Sequence, residues 1–190
     1  LVMRDHYSPD GYILLKDSKI FDFGKVKKMG DITGYEVIDV KGAYVGPGLV
    51  DIHTHAGGGH WFYNEPVVAA EFMLKHGATT VLPTLYFDMK AEQLMEQMDV
   101  VREGMSTLPH SNFGGFYMEA PYMNPKFGAN RENNPWKGPI DKNDYEPLIA
   151  KGGDDVRVWV VAPEREGIKD FAIAARKVNP TVRFSVGHSE

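Results

Sequence analysis

The sequence PGLVDIHTH, residues 47–55, marks the point at which this chain takes on the pattern of an α/β protein. Side chains alternate between the two faces of a strand, so Asp51, His53 and His55 fall on one face and the apolar residues on the other. In a barrel strand, we expect the apolar face, formed by Val50, Ile52 and Thr54, to meet the surrounding helices. The two histidines then lie at the C-terminal end of the strand, where barrel active sites are found.

Strand and helix patterns alternate from this segment to the end of the chain. The predicted strands are Leu49–His55, Thr79–Tyr86 with an interruption at Pro83, Phe113–Met118, Val156–Val161 and Val182–Gly187. The predicted helices are Glu65–His76, Lys90–Met105, Lys142–Ala150 and Glu166–Val178. Such alternation predicts a parallel sheet.

Two architectures share this alternation, an open doubly wound sheet and a closed eight-stranded barrel. The glycine-rich stretch AGGGH at residues 56–60 does not fit the phosphate-binding pattern of the open sheet. A complete barrel needs roughly 250 residues, whereas residues 47–190 provide about five predicted strands. The predicted fold class is therefore α/β, a partial (β/α)8 TIM-type barrel.

The residues before this segment have a different character. Short runs rich in Ile, Val and Tyr stand between Gly and Asp turns, which favours strands at Gly11–Lys16, Lys19–Phe21 and Tyr35–Val40. We predict two domains, a small β-sandwich portion over residues 1–46 and the barrel portion over residues 47–190.

Composition limits the classes of function. The 190 residues include 21 Lys and Arg against 26 Asp and Glu, giving a formal net charge of −5. No basic cluster suits a nucleic-acid partner, and no apolar run is long enough to suggest a membrane partner. There is no cysteine, so a metal would have to be held by histidines and carboxylates. We expect a cytoplasmic protein.

Three predicted strands end in residues of the types that can bind metals. His53 and His55 end the first barrel strand, Glu119 ends the third, and His188 follows the fifth. Each also has an ordinary interpretation, a hydrogen-bonded histidine or a solvated glutamate, but their recurrence at one end of the sheet favours a shared divalent cation. Glu164 ends the strand between them and is expected to shape the pocket or cap the next helix.

The motifs together resemble the amidohydrolase superfamily and, within it, the N-acetylglucosamine-6-phosphate deacetylase family. They are PGLVDIHTH at 47–55, HGATT at 76–80, EAPYMNPKFGA at 119–129, APE at 162–164 and GHS at 187–189. The H-x-H strand specifies only the superfamily. The last three motifs point to the deacetylases.

The resemblance implies a metal-dependent barrel hydrolase with a small β-sandwich, which removes acetate from N-acetylglucosamine 6-phosphate. Glu119 and His188 would hold the main ion, and His53 and His55 a second one. The cofactor would be one or two divalent ions, zinc in the first place, with iron or manganese as alternatives. The loop residues Gly128, Ala129 and Asn130 would approach the sugar phosphate.

This sequence departs from the family pattern at several points. Asn130 stands where the family usually has histidine, which bears on the exact substrate, and Ala120 replaces a usual glycine. The family's catalytic Asp and a further metal-binding His would lie beyond residue 190, so no catalytic residue is assigned here. We expect an incomplete chain, inactive alone, that forms a homodimer or associates with the missing C-terminal portion.

Two other interpretations remain open. The chain could derive from another metal-dependent amidohydrolase that acts on a cyclic amide or a different acylated amine. It could also be a non-catalytic half-barrel that binds a metal or sugar without turnover.

Overall fold

The computed structural model describes all 190 residues, which divide into two compact units, Leu1–Gly48 and Leu49–Glu190. The first unit contains an antiparallel hairpin of strands β1 (Gly11–Lys16) and β2 (Lys19–Lys25). The two residues of its turn have φ angles of 51° and 59°. Positive φ at both central positions matches the twist of the flanking strands, as in other two-residue hairpins.

The strand predicted at Tyr35–Val40 is absent, so that prediction was wrong. This segment has no regular structure, and Val37 and Ile38 are exposed. A β-branched run becomes a strand only when a neighbouring strand pairs with it and one face packs, because strand propensity largely reflects packing.

The second unit contains a five-stranded parallel sheet in the order β3-β6-β7-β8-β9. Its strands are β3 (Leu49–Thr54), β6 (Ala78–Tyr86), β7 (Phe116–Glu119), β8 (Val156–Val161) and β9 (Arg183–Val186), and a small hairpin of β4 (Ala56–Gly57) and β5 (His60–Trp61) follows β3. The strand order follows the chain without reversal, which is barrel winding and not the reversing order of a doubly wound sheet. The predicted α/β partial-barrel fold is confirmed.

Four helices connect these strands. They are α1 (Pro66–Lys75), α2 (Ala91–Ser106), α3 (Lys142–Gly152) and α4 (Ile168–Val178). Helix α1 begins with a proline, whose missing N–H group costs nothing in the first turn, and ends just before Gly77 with φ +90°. None of the helices combines the length and apolar character needed to cross a bilayer.

The core of this unit lies between the sheet and the helices. Helix α2 buries Leu94, Met98, Val101 and Met105, which share one face because they recur at helical spacing. Each such side chain contributes about 1.5–3 kcal/mol when it leaves water. The sequence pattern predicted the first three of these four.

Both edges of the sheet are open, because β3 and β9 each pair with one neighbour only. Val50 and Ile52 on β3 are 63% and 55% exposed. The prediction that the apolar face of this strand meets helices was therefore wrong for these two residues. Helix α1 packs against β6 and β4 instead, which leaves the outer face of the edge strand without a helix over it.

Strand β6 runs through Pro83 without the interruption that the sequence suggested. Proline cannot donate a ladder hydrogen bond and is tolerated where pairing is irregular. The register between β3 and β6 shifts between Asp51 and Thr54, directly opposite Pro83, and pairing with β7 begins only at Thr84. Pro83, which has no N–H group, therefore lies at a position where regular strand pairing is interrupted.

The long connection at residues 121–139 is packed onto the unit although it contains only one short 3-10 turn. Tyr122, Met123 and Trp136 from this connection are buried. Arg165 donates hydrogen bonds to the carbonyl oxygens of Met123 and Trp136, at 2.9 Å and 2.7 Å, and to that of Gly138. One guanidinium thus holds three points of the loop that lies over the ends of the strands.

Candidate metal centre

The two histidines at the end of β3 converge on one carboxylate. His55 Nε2 lies 3.1 Å from Glu119 Oε2, and His53 Nε2 lies 3.6 Å from the same oxygen. The spacing of two residues places both imidazoles on one face, as the strand pattern predicted. Asp51, predicted for the same face, accepts a hydrogen bond from the backbone N–H of His53 at 3.1 Å.

Glu119 ends β7 and is only 7% exposed. Its Oε1 atom lies 2.9 Å from Nε2 of His188, while its Oε2 atom faces His53 and His55. The carboxylate therefore contacts three imidazoles, and neither lysine nor arginine pairs with it. Burial on its own raises the pKa of Glu119, but hydrogen bonds from His55 and His188 and the nearby histidine charges outweigh burial and lower this pKa.

His188 contacts the same carboxylate from the edge of the sheet opposite β3. It lies two residues after the end of β9, has a φ of +51°, and its backbone carbonyl accepts a hydrogen bond of 3.0 Å from the N–H of Asn124. Residues from the first, third and fifth strands of the sheet thus meet at the C-terminal ends of those strands, as the sequence analysis expected.

This donor set fits a divalent cation. One ligand atom from each of His53, His55 and Glu119 lies within 4.8 Å of the other two. Imidazole nitrogens with a carboxylate oxygen suit zinc, iron and manganese alike. In addition, Nδ1 of His55 is buried and has no hydrogen-bond partner, although buried polar atoms are nearly always paired.

Aromatic rings hold the imidazoles in place. Tyr117 stacks on His53 with ring centroids 4.4 Å apart, and Tyr86 packs edge-on against His55 at 5.3 Å. Trp61 lies 5.8 Å from the His55 ring. The two tyrosines were not predicted from the sequence, although Tyr117 precedes Glu119 by two residues on a strand and must share its face.

The loop residues predicted to approach the substrate have three different environments. Gly128 has φ +101°, and a Cβ atom there would lie 2.7 Å from the Phe87 ring, so no larger residue fits. Ala129 is exposed. The Asn130 side chain donates to Asp88 at 2.9 Å and accepts from Asn133 at 2.9 Å, which fixes it within the protein.

No protein-family model matches the chain. A dihydroorotase from Lactobacillus johnsonii is 35% identical over 94 residues, which are 47% of this chain and 22% of that protein. The N-acetylglucosamine-6-phosphate deacetylase of Bacillus subtilis strain 168 is 21% identical over 198 residues, covering 100% of this chain and 49% of that protein.

Solved structures show the same likeness. A mutant N-acetyl-D-glucosamine-6-phosphate deacetylase from Mycobacterium smegmatis, in complex with N-acetyl-D-glucosamine-6-phosphate, superposes with a TM-score of 0.72 at 25% identity. The match covers 95% of this chain and 45% of that one. The chain thus spans about half the length of the deacetylases it matches, and less of the dihydroorotase. In fold and sequence it is similar to the N-acetylglucosamine-6-phosphate deacetylases of the amidohydrolase superfamily, as its motifs predicted.

Proposed function

We propose that this chain forms the N-terminal part of a metal-dependent deacetylase. The reaction is hydrolysis of N-acetylglucosamine 6-phosphate to glucosamine 6-phosphate and acetate. The proposed partners are this small amino-sugar phosphate and either a second copy of the protein or the portion that completes the barrel. The proposed location is the cytoplasm, in keeping with a chain that has no cysteine.

One observation carries this proposal. A single buried carboxylate, Glu119, directs one oxygen to His188 and the other to the pair His53 and His55. Burying a carboxylate is costly unless charge and hydrogen bonds compensate. Three imidazoles around one carboxylate at the C-terminal ends of barrel strands are the arrangement expected of a hydrolytic metal site.

In the proposed assignment, Glu119 and His188 would hold the main ion, and His53 and His55 would hold a second. A bound divalent cation supplies Lewis acidity, which polarises an amide carbonyl and lowers the pKa of water. The tyrosine rings against His53 and His55 keep the imidazole planes fixed, so little reorganisation is needed when a ligand binds.

Hydrolysis of the amide adds the oxygen of water to the acetyl carbon and breaks the C–N bond. One proton must pass from that water to the nitrogen of the leaving amine. Within residues 1–190, two carboxylates already have partners: Glu119 contacts imidazoles, and Asp88 accepts a hydrogen bond from Asn130. We therefore propose that the proton-transfer group comes from the remaining half of the length found in the deacetylases, and that residues 1–190 bind metal without turnover.

Acetate release tests the proposal directly. The protein is prepared in the longest form its coding region provides, loaded with zinc, iron or manganese, and assayed on N-acetylglucosamine 6-phosphate. We expect acetate and glucosamine 6-phosphate in equal amounts, and loss of both on chelation. Metal-loaded protein of full length that releases no acetate from any N-acetyl sugar phosphate would refute the assignment.

A cyclic amide is the second candidate substrate. The 35% identity with a dihydroorotase over 94 residues favours it, as does Asn130, which replaces the family histidine and pairs with Asp88. This candidate predicts ring opening of a cyclic ureide such as dihydroorotate and no acetate from acetylated sugars. A panel containing both substrate types separates the two candidates.

A further inference from the structure

His188 occupies a backbone conformation that the chain would not adopt unaided. Its φ of +51° lies in the left-handed region, which costs a non-glycine residue about 1 kcal/mol or more. The residue also lies beyond β9, whose ladder with β8 ends at Val186, so strand pairing does not hold its backbone. Hydrogen bonds from other segments must therefore hold this conformation.

Asn124 binds the backbone of His188 directly. Its backbone N–H donates to the carbonyl of His188 at 3.0 Å, and its side-chain Nδ2 donates to Oε1 of Glu164 at 2.7 Å. Asn124 is 7% exposed, whereas Glu164, which accepts from its side chain, is an exposed residue. Through Asn124, the carbonyl of His188 is linked to the carboxylate of Glu164.

The residues after His188 bind the same carboxylate. Ser189 Oγ donates to Oε2 of Glu164 at 2.6 Å, and the backbone N–H of Glu190 donates to Oε1 at 3.1 Å. The chain is thus attached to Glu164 directly at Ser189 and Glu190, and through Asn124 at the carbonyl of His188 itself. These hydrogen bonds, led by that of Ser189, lower the pKa of Glu164 to about 2, so the group is an acceptor throughout the neutral range.

Glu164 does not cap the next helix. Helix α4 begins at Ile168 after the N-cap Gly167, and Glu164 accepts no hydrogen bond from a backbone N–H of that helix. None of its hydrogen bonds or ion pairs involves Glu119, His53 or His55. The hydrogen bonds to its carboxylate come from Ser189 and Glu190, which follow His188, and from Asn124, which binds the carbonyl of His188.

We propose that Glu164 is a positioning residue that fixes His188 against Glu119 and so sets the affinity of the metal centre. This inference rests on the proposed metal site but not on the identity of the substrate. It requires the effect of Glu164 on metal binding to pass through the imidazole of His188.

A double-mutant cycle tests this requirement. Zinc is titrated by calorimetry into the purified wild-type protein, Glu164→Ala, His188→Asn and the double variant. Residues that orient metal ligands typically change affinity by about 10–100-fold, and we expect a loss of that size for Glu164→Ala. With His188 already removed, the same substitution should change zinc affinity by less than about twofold. Equal losses in both backgrounds, or no loss in either, would overturn the proposal.

Matched variants separate positioning from general damage to the fold. Glu166, two residues further on and exposed, makes no hydrogen bond or ion pair through its side chain, so Glu166→Ala should leave zinc affinity unchanged. Ser189→Ala removes one of the bonds to Glu164 and should weaken zinc binding by a few-fold if Glu164→Ala fails to fold. A Ser189→Ala protein that folds and binds zinc as tightly as wild type would also contradict the proposal.

Cobalt provides a second readout that does not depend on activity. The visible absorption of Co²⁺ reports the number and arrangement of its ligands. We expect a changed spectrum in Glu164→Ala and partial restoration in Glu164→Asp, which keeps the charge. If the protein releases no acetate, the deacetylase assignment fails but the expected changes in zinc affinity and cobalt spectrum still hold. If the zinc affinity and the cobalt spectrum of Glu164→Ala equal those of wild type, only the positioning role of Glu164 is refuted.

Discussion

Nε2 of His188 lies 2.9 Å from Oε1 of Glu119, although the two residues are 69 positions apart in the sequence. Strands β8 and β9 and helices α3 and α4 lie between them in the chain. The contact forms because parallel strands that follow one another around a barrel all end at the same rim. The order of the strands in the sheet therefore brings together two residues that are far apart in the sequence.

Glu119→Gln should abolish tight metal binding. The amide keeps the size of the side chain but loses the negative charge that faces three imidazoles, so zinc affinity should fall by at least about tenfold. Calorimetric titration with zinc measures the effect. Glu96→Gln, on the exposed face of α2, is the matched control and should bind as wild type does. Wild-type affinity in Glu119→Gln would mean that the metal is held elsewhere.

Gly57→Ala should destabilise the second unit. A Cβ atom at Gly57 would lie 2.4 Å from the backbone carbonyl oxygen of Ala69, inside α1, and a helix backbone cannot move aside cheaply. Overpacking of this kind costs about 1–3 kcal/mol of the free energy of unfolding, which urea denaturation measures. Gly138→Ala is the control, because a Cβ atom at Gly138 would have nothing within 4 Å and the φ of this residue is not positive. Equal stability of the two variants would argue against this close approach.

The sequence predicted those features that local pattern determines. The period of two in Leu49–His55, the helical spacing of Leu94, Met98 and Val101, and the apolar run at Val156–Val161 all became the predicted elements. The grouping of the site followed from strand parity and barrel winding together. Both are properties of the backbone that need no knowledge of distant contacts.

The features that were missed depend on neighbours that a single segment does not reveal. Tyr35–Val40 had the composition of a strand but no strand to pair with. Pro83 could remain within β6 because the pairing with β3 shifts register beside it. The hydrogen bonds that Asn124 and Ser189 donate to Glu164 join three loops, and loop geometry leaves no period in the sequence.

Arg165→Met should loosen the long connection at residues 121–139. The guanidinium donates to three carbonyls of this loop and lies over the Tyr122 ring, 5.5 Å from its centroid. Hydrogen bonds from charged groups contribute about 1.5–3 kcal/mol each when measured by mutation. Local opening should therefore become at least about tenfold more frequent.

Limited trypsin digestion measures this opening, because Lys126, Arg131 and Lys137 place cleavage points within the loop. Lys169→Met also removes a cationic side chain, but from an exposed position on α4, and should be cleaved at the wild-type rate. Cleavage of Arg165→Met no faster than of Lys169→Met would show that the apolar contacts of Trp136 and Tyr122 hold the loop without the arginine.

Tyr122 should make the second unit less stable in alkali. Burial, reinforced by the charge of Asp144, raises the pKa of Tyr122 above its ordinary value of 10.0. Below pH 10 the phenol is protonated in both the folded and unfolded states, and its burial is fully compatible with folding. Above pH 10 the unfolded chain releases this proton while the folded chain retains it, so the free energy of unfolding falls as pH rises.

Tyr122→Phe removes the titrating group while keeping the ring that packs edge-on against Trp136 and Phe171. Urea denaturation between pH 8 and 11 should give a steep decline for the wild-type protein, approaching about 1.4 kcal/mol per pH unit from this residue, and a shallower one for the variant. Tyr44→Phe, at a ring that is 78% exposed, should leave the decline unchanged. If Tyr122→Phe and wild type lose stability in parallel above pH 10, the phenol of Tyr122 is not kept protonated by the fold.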